Sequence, residues 1–515
     1  MTITGVELMN KTEKQFRKDF ESKIEKTDIN LTFDTTQLEK NTPKPKRSVW
    51  KPIVITASCV VGTAIMVALI APIASLFIRF DDSVHTYRRR YSINEIKIAE
   101  SNTFKKLNNV TYPQLETPQK SALSEEEVEA YNNFSNLTYH SLVNTSKSDN
   151  MSYSTIGLYA NINESEFASS REDLTNRLNS LLGLTREQRA AFFKKVMLAN
   201  SYAKDNMTTQ LKNSAFFTNK YNYSSDFVSH LTKLYCEAYQ IDFNNSKDVN
   251  KMVEWVNDAV DNSKFVDSKF FEIDEETALV LLSSLYFKNQ WASKYISSRN
   301  IQKDFHLASG DKVNTTFMKH SYHIDEYYDY DSYISFRDYY SFGGSVTYLI
   351  PKNIDDNIYE LTKTKNIFKE DEEKKIINYI EWENGEGYQD RITVHLTTPK
   401  FTQKSDINFK KTMFDLGFSD IFDRNIDSFK NAFNDAKLDD HNIYIQTMKQ
   451  RNEVEFNEDG SMVKSITQTS FGAATSAAPH ENDTLEVDLN QPFIYIIRDI
   501  NDTPIFVGHV DNPTL

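Results

Sequence analysis

Residues 52 to 78, PIVITASCVVGTAIMVALIAPIASLFI, run 27 positions without a charge. At ~1.5 Å per helical residue such a run crosses a ~30 Å hydrocarbon core, so the pattern predicts one transmembrane helix over 52–78. Upstream, residues 1–51 are polar with no lasting period and read as a disordered tail. Downstream, 79–124 mixes charges with Pro113 and Pro118 and shows little apolar patterning, so it reads as a stalk. From 125 to 515 the pattern becomes periodic and reads as one large folded domain.

Within that domain SEEEVEAYNNFSNLTYHSLV, from Ser124, predicts a helix. The serine can cap free N–H groups and the glutamates complement the positive end, while Val128, Phe134, Leu137 and Leu142 recur at helical spacing. Helices are also expected over SREDLTNRLNSLLG, ending at Gly183, over DFVSHLTKLYCEAY and over DVNKMVEWVNDAV. TALVLLSSLYF suits a buried strand. SVTYLIP, DRITVHLTTPKF and NIYIQTMKQRNEVEFN read as strands by alternation and β-branching, and PFIYIIRD with TPIFVGHV as a hairpin turning at Asn501-Asp502. Helices come first and strands cluster late, which points to α+β with large mixed sheets.

Composition changes this picture in three ways. The net charge of −14 disfavours nucleic acid as a partner. With Cys59 inside the apolar run, Cys236 is alone in the domain, which therefore has no internal disulfide. Basic residues flank the span almost equally: Lys44, Lys46, Arg47 and Lys51 before, Arg79, Arg88, Arg89 and Arg90 after. The tail holds 11 Lys/Arg against 8 Asp/Glu, and twelve Asn-x-Ser/Thr sequons lie downstream of the span, from Asn109 to Asn501. We therefore expect a single-pass glycoprotein with a cytoplasmic N-terminus and an extracellular or lumenal domain. Arg88–Arg90 reads as a lipid-facing basic cluster, with shedding by cleavage there as the alternative.

One stretch resists this scheme. Residues 465–479 carry no charge, are rich in small and β-branched residues, and contain no proline before Pro479. Such a run either pairs in the fold or is held apart for a purpose, because left exposed it invites aggregation.

Seven short segments give a reason. NEVEFNEDGS (452–461), QPFIYIIRD (491–499), TPIFVGHVDNP (503–513), LVLLSSLYFKNQW (279–291), VEWVNDAV (253–260), TTPKF (397–401) and DLGFSDIF (415–422) resemble motifs of the serpin family, in family order, over about 390 residues. The resemblance implies the serpin fold, helices packed on large mixed β-sheets with an exposed reactive loop. It implies a protease inhibitor rather than an enzyme, with no cofactor or metal, acting as a monomer. A protease would cut the loop, whose N-terminal half would then insert as a strand and trap the enzyme. Glu458, Asp459, Gly460 and Ser461 stand where the family has its hinge. Beyond it Val463, Ser465, Thr467, Thr469 and Phe471 share the inward parity with Ser461, and Lys464 faces outward. Counting fourteen residues from Gly460 puts the reactive bond at Ala474–Thr475, which suits a serine protease with a small, elastase-like pocket. The 32 residues from Gly460 to Pro492 leave any bond from Ala473 to Glu481 open.

The chain departs from the family pattern in two places. Met462, Val463, Lys464 and Ile466 are bulkier than the usual alanines. At the gate that must part, Gly157, Ser283 and Gln450 replace a serine, an asparagine and a histidine, while Ser154 is kept. A gate that opens poorly would leave a non-inhibitory serpin-fold binding, carrier or structural protein, which is the alternative function. His320 and His323, read on a loop, are set aside as a metal site, and Trp255 and Trp291 are read as packing.

Overall fold

The structure is a computed structural model and describes residues 96, 98–145, 150–205, 207–260, 264–354, 356–381, 387–435, 441–462 and 484–515. The span 52–78, the inserting positions Val463, Ser465, Thr467, Thr469 and Phe471, and the Ala474–Thr475 bond lie outside the described residues.

The described chain opens with strand β1 (Lys105–Lys106), helix α1 (Glu125–Thr145), β2 (Asn150–Tyr153) and helices α2 (Thr155–Ala168), α3 (Glu172–Leu182) and α4 (Arg186–Ala199). It continues through β3 (Ser201–Lys204), β4 (Met207–Thr218), α5 (Ser225–Lys233), β5 (Cys236–Ile241), α6 (Ser246–Ala259) and β6 (Leu279–Gln290). Then follow β7 (Ile301–His306), β8 (Lys312–Ile324), β9 (Glu326–Asp329), β10 (Tyr333–Tyr339), β11 (Ser345–Pro351), β12 (Lys375–Glu381), β13 (Gly387–Asp390), β14 (Ile392–Pro399) and β15 (Phe401–Asn408). The last strands are β16 (Lys449–Phe456), β17 (Gly460–Met462), β18 (Thr484–Asp488), β19 (Phe493–Arg498) and β20 (Pro504–Val510).

Three sheets result. The first runs β1-β5-β4-β6-β17-β16-β15, with β3 beside β4; the second runs β13-β12-β9-β10-β11-β19-β20-β2; the third runs β18-β14-β8-β7. One continuous apolar core joins α1 to α5 with the buried faces of these sheets, and a smaller one gathers Phe104, Phe216, Tyr239 and Trp255 under α6.

Local signals account for several boundaries. Ser124 and Glu127 make the reciprocal cap of α1: the Glu127 amide donates to Ser124 Oγ at 3.2 Å and the Ser124 amide to Glu127 Oε2 at 2.7 Å. Gly183, at φ +73°, ends α3 in the left-handed region that a side chain would strain.

The differences from the sequence reading have physical causes. The helix read over 226–239 stops after Lys233. Tyr235 adopts φ +55°, and Cys236–Ile241 pairs in parallel with β4 instead. Residues 442–448 form no strand, and the strand read there begins at Lys449. On α1, Val128 and Leu137 are exposed despite their spacing, because the buried stripe is Tyr131, Phe134, Thr138 and Leu142. The segment read as stalk is built into the fold from Ile96 onward. Phe104 is fully buried, Lys105 and Lys106 pair with Gln240 and Tyr239, and sparse apolar residues spaced along a tether hide this from a periodicity search.

Candidate functional site

Among the described residues, the centre of the first sheet is spanned only by the short strand β17. β17 is three residues long and pairs antiparallel with both neighbours: Gly460, Ser461 and Met462 face Gln290, Asn289 and Lys288 of β6, while Ser461 and Met462 face Phe456 and Glu455 of β16. Strands lie ~4.8 Å apart, so β6 and β16 stand about two spacings apart at this end. Below Met462 no ladder joins β6 to β16 among the described residues. A cavity of about 70 Å³ lies between them, and one of about 150 Å³ between β6 and the segment that leads into β16. Leu281 to Leu285 and Lys449 to Glu453 line the first; Leu279 to Leu282 and Asn442 to Lys449 line the second. Hence Leu279 to Ser283, expected in a buried strand, are only half-buried.

The hinge is held at the upper end of this slot. Asn457 Oδ1 accepts from the amides of Asp459 at 3.0 Å and Gly460 at 3.2 Å, which turns the chain back into the sheet. Trp291 pins the turn from the other side. Its indole Nε1 donates to the Asn457 carbonyl at 2.9 Å and its amide to the Asp459 carbonyl at 3.1 Å. Glu458 accepts from Asn300 Nδ2 at 2.6 Å and from Lys400 Nζ at 2.9 Å. Burial raises the Glu458 carboxyl, but these partners outweigh it and hold the group below its ordinary value. Gly460 passes so close to β6 that a Cβ would overlap the Asn289 carbonyl oxygen. Ser461 is 1% exposed and its hydroxyl hydrogen-bonds the Tyr340 phenol. Tyr340 stacks on Trp291 with centroids 5.2 Å apart.

The gate residues also meet. Gln450 Oε1 accepts from the Ser154 amide at 2.6 Å, and Gln450 Nε2 donates to the Ser154 carbonyl at 3.2 Å. Ser154 Oγ caps α2 by accepting from the Gly157 amide at 3.1 Å and donates to the Ile505 carbonyl. A Cβ on Gly157 would lie 3.1 Å from Gln450 Nε2 and 3.3 Å from Ser283 Oγ, so a glycine here makes room for the longer amide. Ser154, Ser283 and Gln450 all line the smaller cavity. The gate is a two-bond latch on the main chain.

The sequence motif named Glu458, Asp459, Gly460 and Ser461; the structure adds their contacts Lys400, Asn300 and Tyr340, which lie on other strands and loops and which the sequence analysis did not name. Trp291, read as packing, also orients the hinge; the need of a buried indole N–H for a partner was the available signal. Trp255 is fully buried and donates to Glu237 Oε2 at 2.9 Å. His320 and His323 lie on strand β8 rather than a loop. Odd separation puts them on opposite faces, His320 buried between Tyr295 and Tyr322 and His323 exposed, so they cannot share a metal.

Comparison with known proteins fits this geometry. Residues 129–513 match the family model described as Serpin (serine protease inhibitor). The chain is similar to "Leukocyte elastase inhibitor A" of Mus musculus, 25% identical over 312 residues, which are 59% of this chain and 78% of the relative. It is similar to "Plasminogen activator inhibitor 1" of Bos taurus, 24% identical, over 47% of this chain and 56% of the relative. The fold is similar to a solved thermophilic serpin, tengpin, in the native state, with TM-score 0.61 and 19% identity, over 77% of this chain and 97% of that one.

Proposed function

Because this chain belongs to the serpin family, we propose that it inhibits a serine protease by trapping it: the loop is cut, and its N-terminal half fills the slot between β6 and β16. One observation carries this reading. Gly460–Met462 pairs with β6 and β16 on its two sides, above a cleft lined by both strands in which no ladder joins them among the described residues. Family members of this kind are inhibitors rather than enzymes. The small residues around Ala474–Thr475 favour a target with a shallow pocket, and the name of the mouse relative points the same way. Incubation with pancreatic elastase is expected to give a covalent complex that survives detergent and boiling, with a released peptide whose mass places the cut between Ala473 and Glu481. Clean cleavage with no complex would instead indicate a serpin-fold binding or carrier protein, consistent with the bulk of Met462, Val463 and Ile466.

We further propose that the domain is displayed outside a membrane by the span 52–78. The uncharged 27-residue run supports this, and so do the exposed sequon asparagines Asn109, Asn222, Asn244 and Asn314. Among the described residues no helix is long and apolar enough to cross a membrane. Asn163, 1% exposed on α2, is no glycan acceptor in this fold. On intact cells an antibody to the domain should bind, and removal of N-glycans should lower the apparent mass. An inaccessible domain with unchanged mass would reverse the topology.

A further inference from the structure

We propose that Asp338, a carboxyl buried in the aromatic cluster that holds Ser461 and paired with no cation among the described residues, makes the seating of Gly460–Met462 dependent on pH, holding it in acid and loosening it towards neutrality. Asp338 ends the inward row of β10 and is 2% exposed. Its partners are the Tyr295 phenol, donating at 3.1 Å, and the Tyr339 amide, donating at 2.8 Å. Neither carries charge. The carboxyl interacts electrostatically with Tyr295 from the β6–β7 connection, Tyr322 of β8, Tyr348 of β11 and Tyr340, whose hydroxyl holds Ser461. Tyr295 packs on Trp291, and Trp291 stacks on Tyr340, so the carboxyl and the hinge share one aromatic cluster.

Among these groups only Asp338 changes charge near neutral pH. Burial raises all four phenols above their ordinary value. His320, stacked on Tyr295, is pushed down to about 4 by burial and by Arg299, so it stays neutral above that. Glu458 sits below its ordinary value and stays ionised. Arg337, the neighbour in sequence, is engaged with Glu370 and Asp502. Asp338 itself is raised by burial to about 7 from an ordinary 3.8. A group raised in the closed state stabilises that state fully in acid and loses the contribution as pH rises to its closed-state value. Opening the seat admits water and returns the carboxyl towards its ordinary value. The open form should therefore gain with pH up to about 7 and gain no further above it.

The function proposed above gives this device its consequence, since the hinge begins the insertion. The test needs no protease, so a failure to trap leaves its result standing. Hydrogen exchange of the amides of 460–462 is followed in the intact, uncut protein from pH 5 to pH 9 and corrected for intrinsic rates. Protection is expected to fall by up to about tenfold per pH unit as far as pH 7 and then to level off. Asp338→Asn, which keeps one oxygen to accept from the Tyr339 amide, leaves the Tyr295 hydroxyl to turn and accept from the new NH2, and removes the charge, should give a flat profile. A flat wild-type profile, a fall that continues past pH 8, or the same fall in Asp338→Asn would each overturn the proposal. Should the variant not fold, the wild-type curve decides alone.

Discussion

Cutting the reactive loop should raise the melting temperature of this protein, where a nick in an exposed loop normally does nothing or lowers it. Among the described residues no ladder joins β6 (Leu279–Gln290) to β16 (Lys449–Phe456) beyond the three residues of β17, so an inserted strand would add ladder bonds on both sides. Roughly ten new ladder bonds at about 1 kcal/mol net each would add about 10 kcal/mol. Burial of half-exposed Leu279, Leu281 and Leu282 contributes in the same direction. For a domain of this size a gain of that order corresponds to roughly 10–20 °C. Differential scanning calorimetry of purified cut and uncut protein decides it. An unchanged or lower melting temperature would mean that the freed segment does not enter the slot, and the trapping mechanism would fall while the fold remained.

The same slot explains what could and could not be read from the residues. Strand β6 was legible because LVLLSSLYF is a continuous, mostly apolar run without a charge. Nothing in that run says that one edge lacks a partner, since a missing neighbour leaves no mark on the strand that misses it. The caps of α1 and α3 were legible because Ser124, Glu127 and Gly183 act within one turn. The CEAY strand was not, because it depends on a left-handed Tyr235 and on parallel pairing with a distant strand. Around Gly460 the motif named four residues, Glu458 to Ser461, and the structure supplies their contacts. Lys400 stands inside the TTPKF motif, but nothing local ties it to Glu458, and Asn300 carries no local signature at all. Asp338 was invisible for the opposite reason. In YISFRDYY a charged residue after an arginine reads as surface, yet the pleat turns Phe336 and Asp338 inward together.

Reversing the polarity of one inward position should convert the protein from inhibitor to substrate. Ser461 fills the first inward site of the new strand, against Tyr340, whose phenol also interacts electrostatically with the Asp338 carboxyl. Ser461→Glu brings a second acid into that cluster, where no cation waits, at a cost of several kcal/mol if it is to seat. Because Ser461 is already seated in the uncut protein, the variant first loses that seat, and insertion must then bury the acid, while the bond in the loop can still be cut. Each ~1.4 kcal/mol added to the insertion barrier slows it tenfold, so hydrolysis of the acyl-enzyme overtakes it. With elastase, Ser461→Glu is expected to be cut at the wild-type rate while the covalent complex drops by at least about tenfold. Lys464→Glu, on the outward parity, should trap as the wild type does. Equal yields of complex from the wild type and Ser461→Glu, with urea unfolding showing both intact, would show that the hinge does not lead the strand into the sheet.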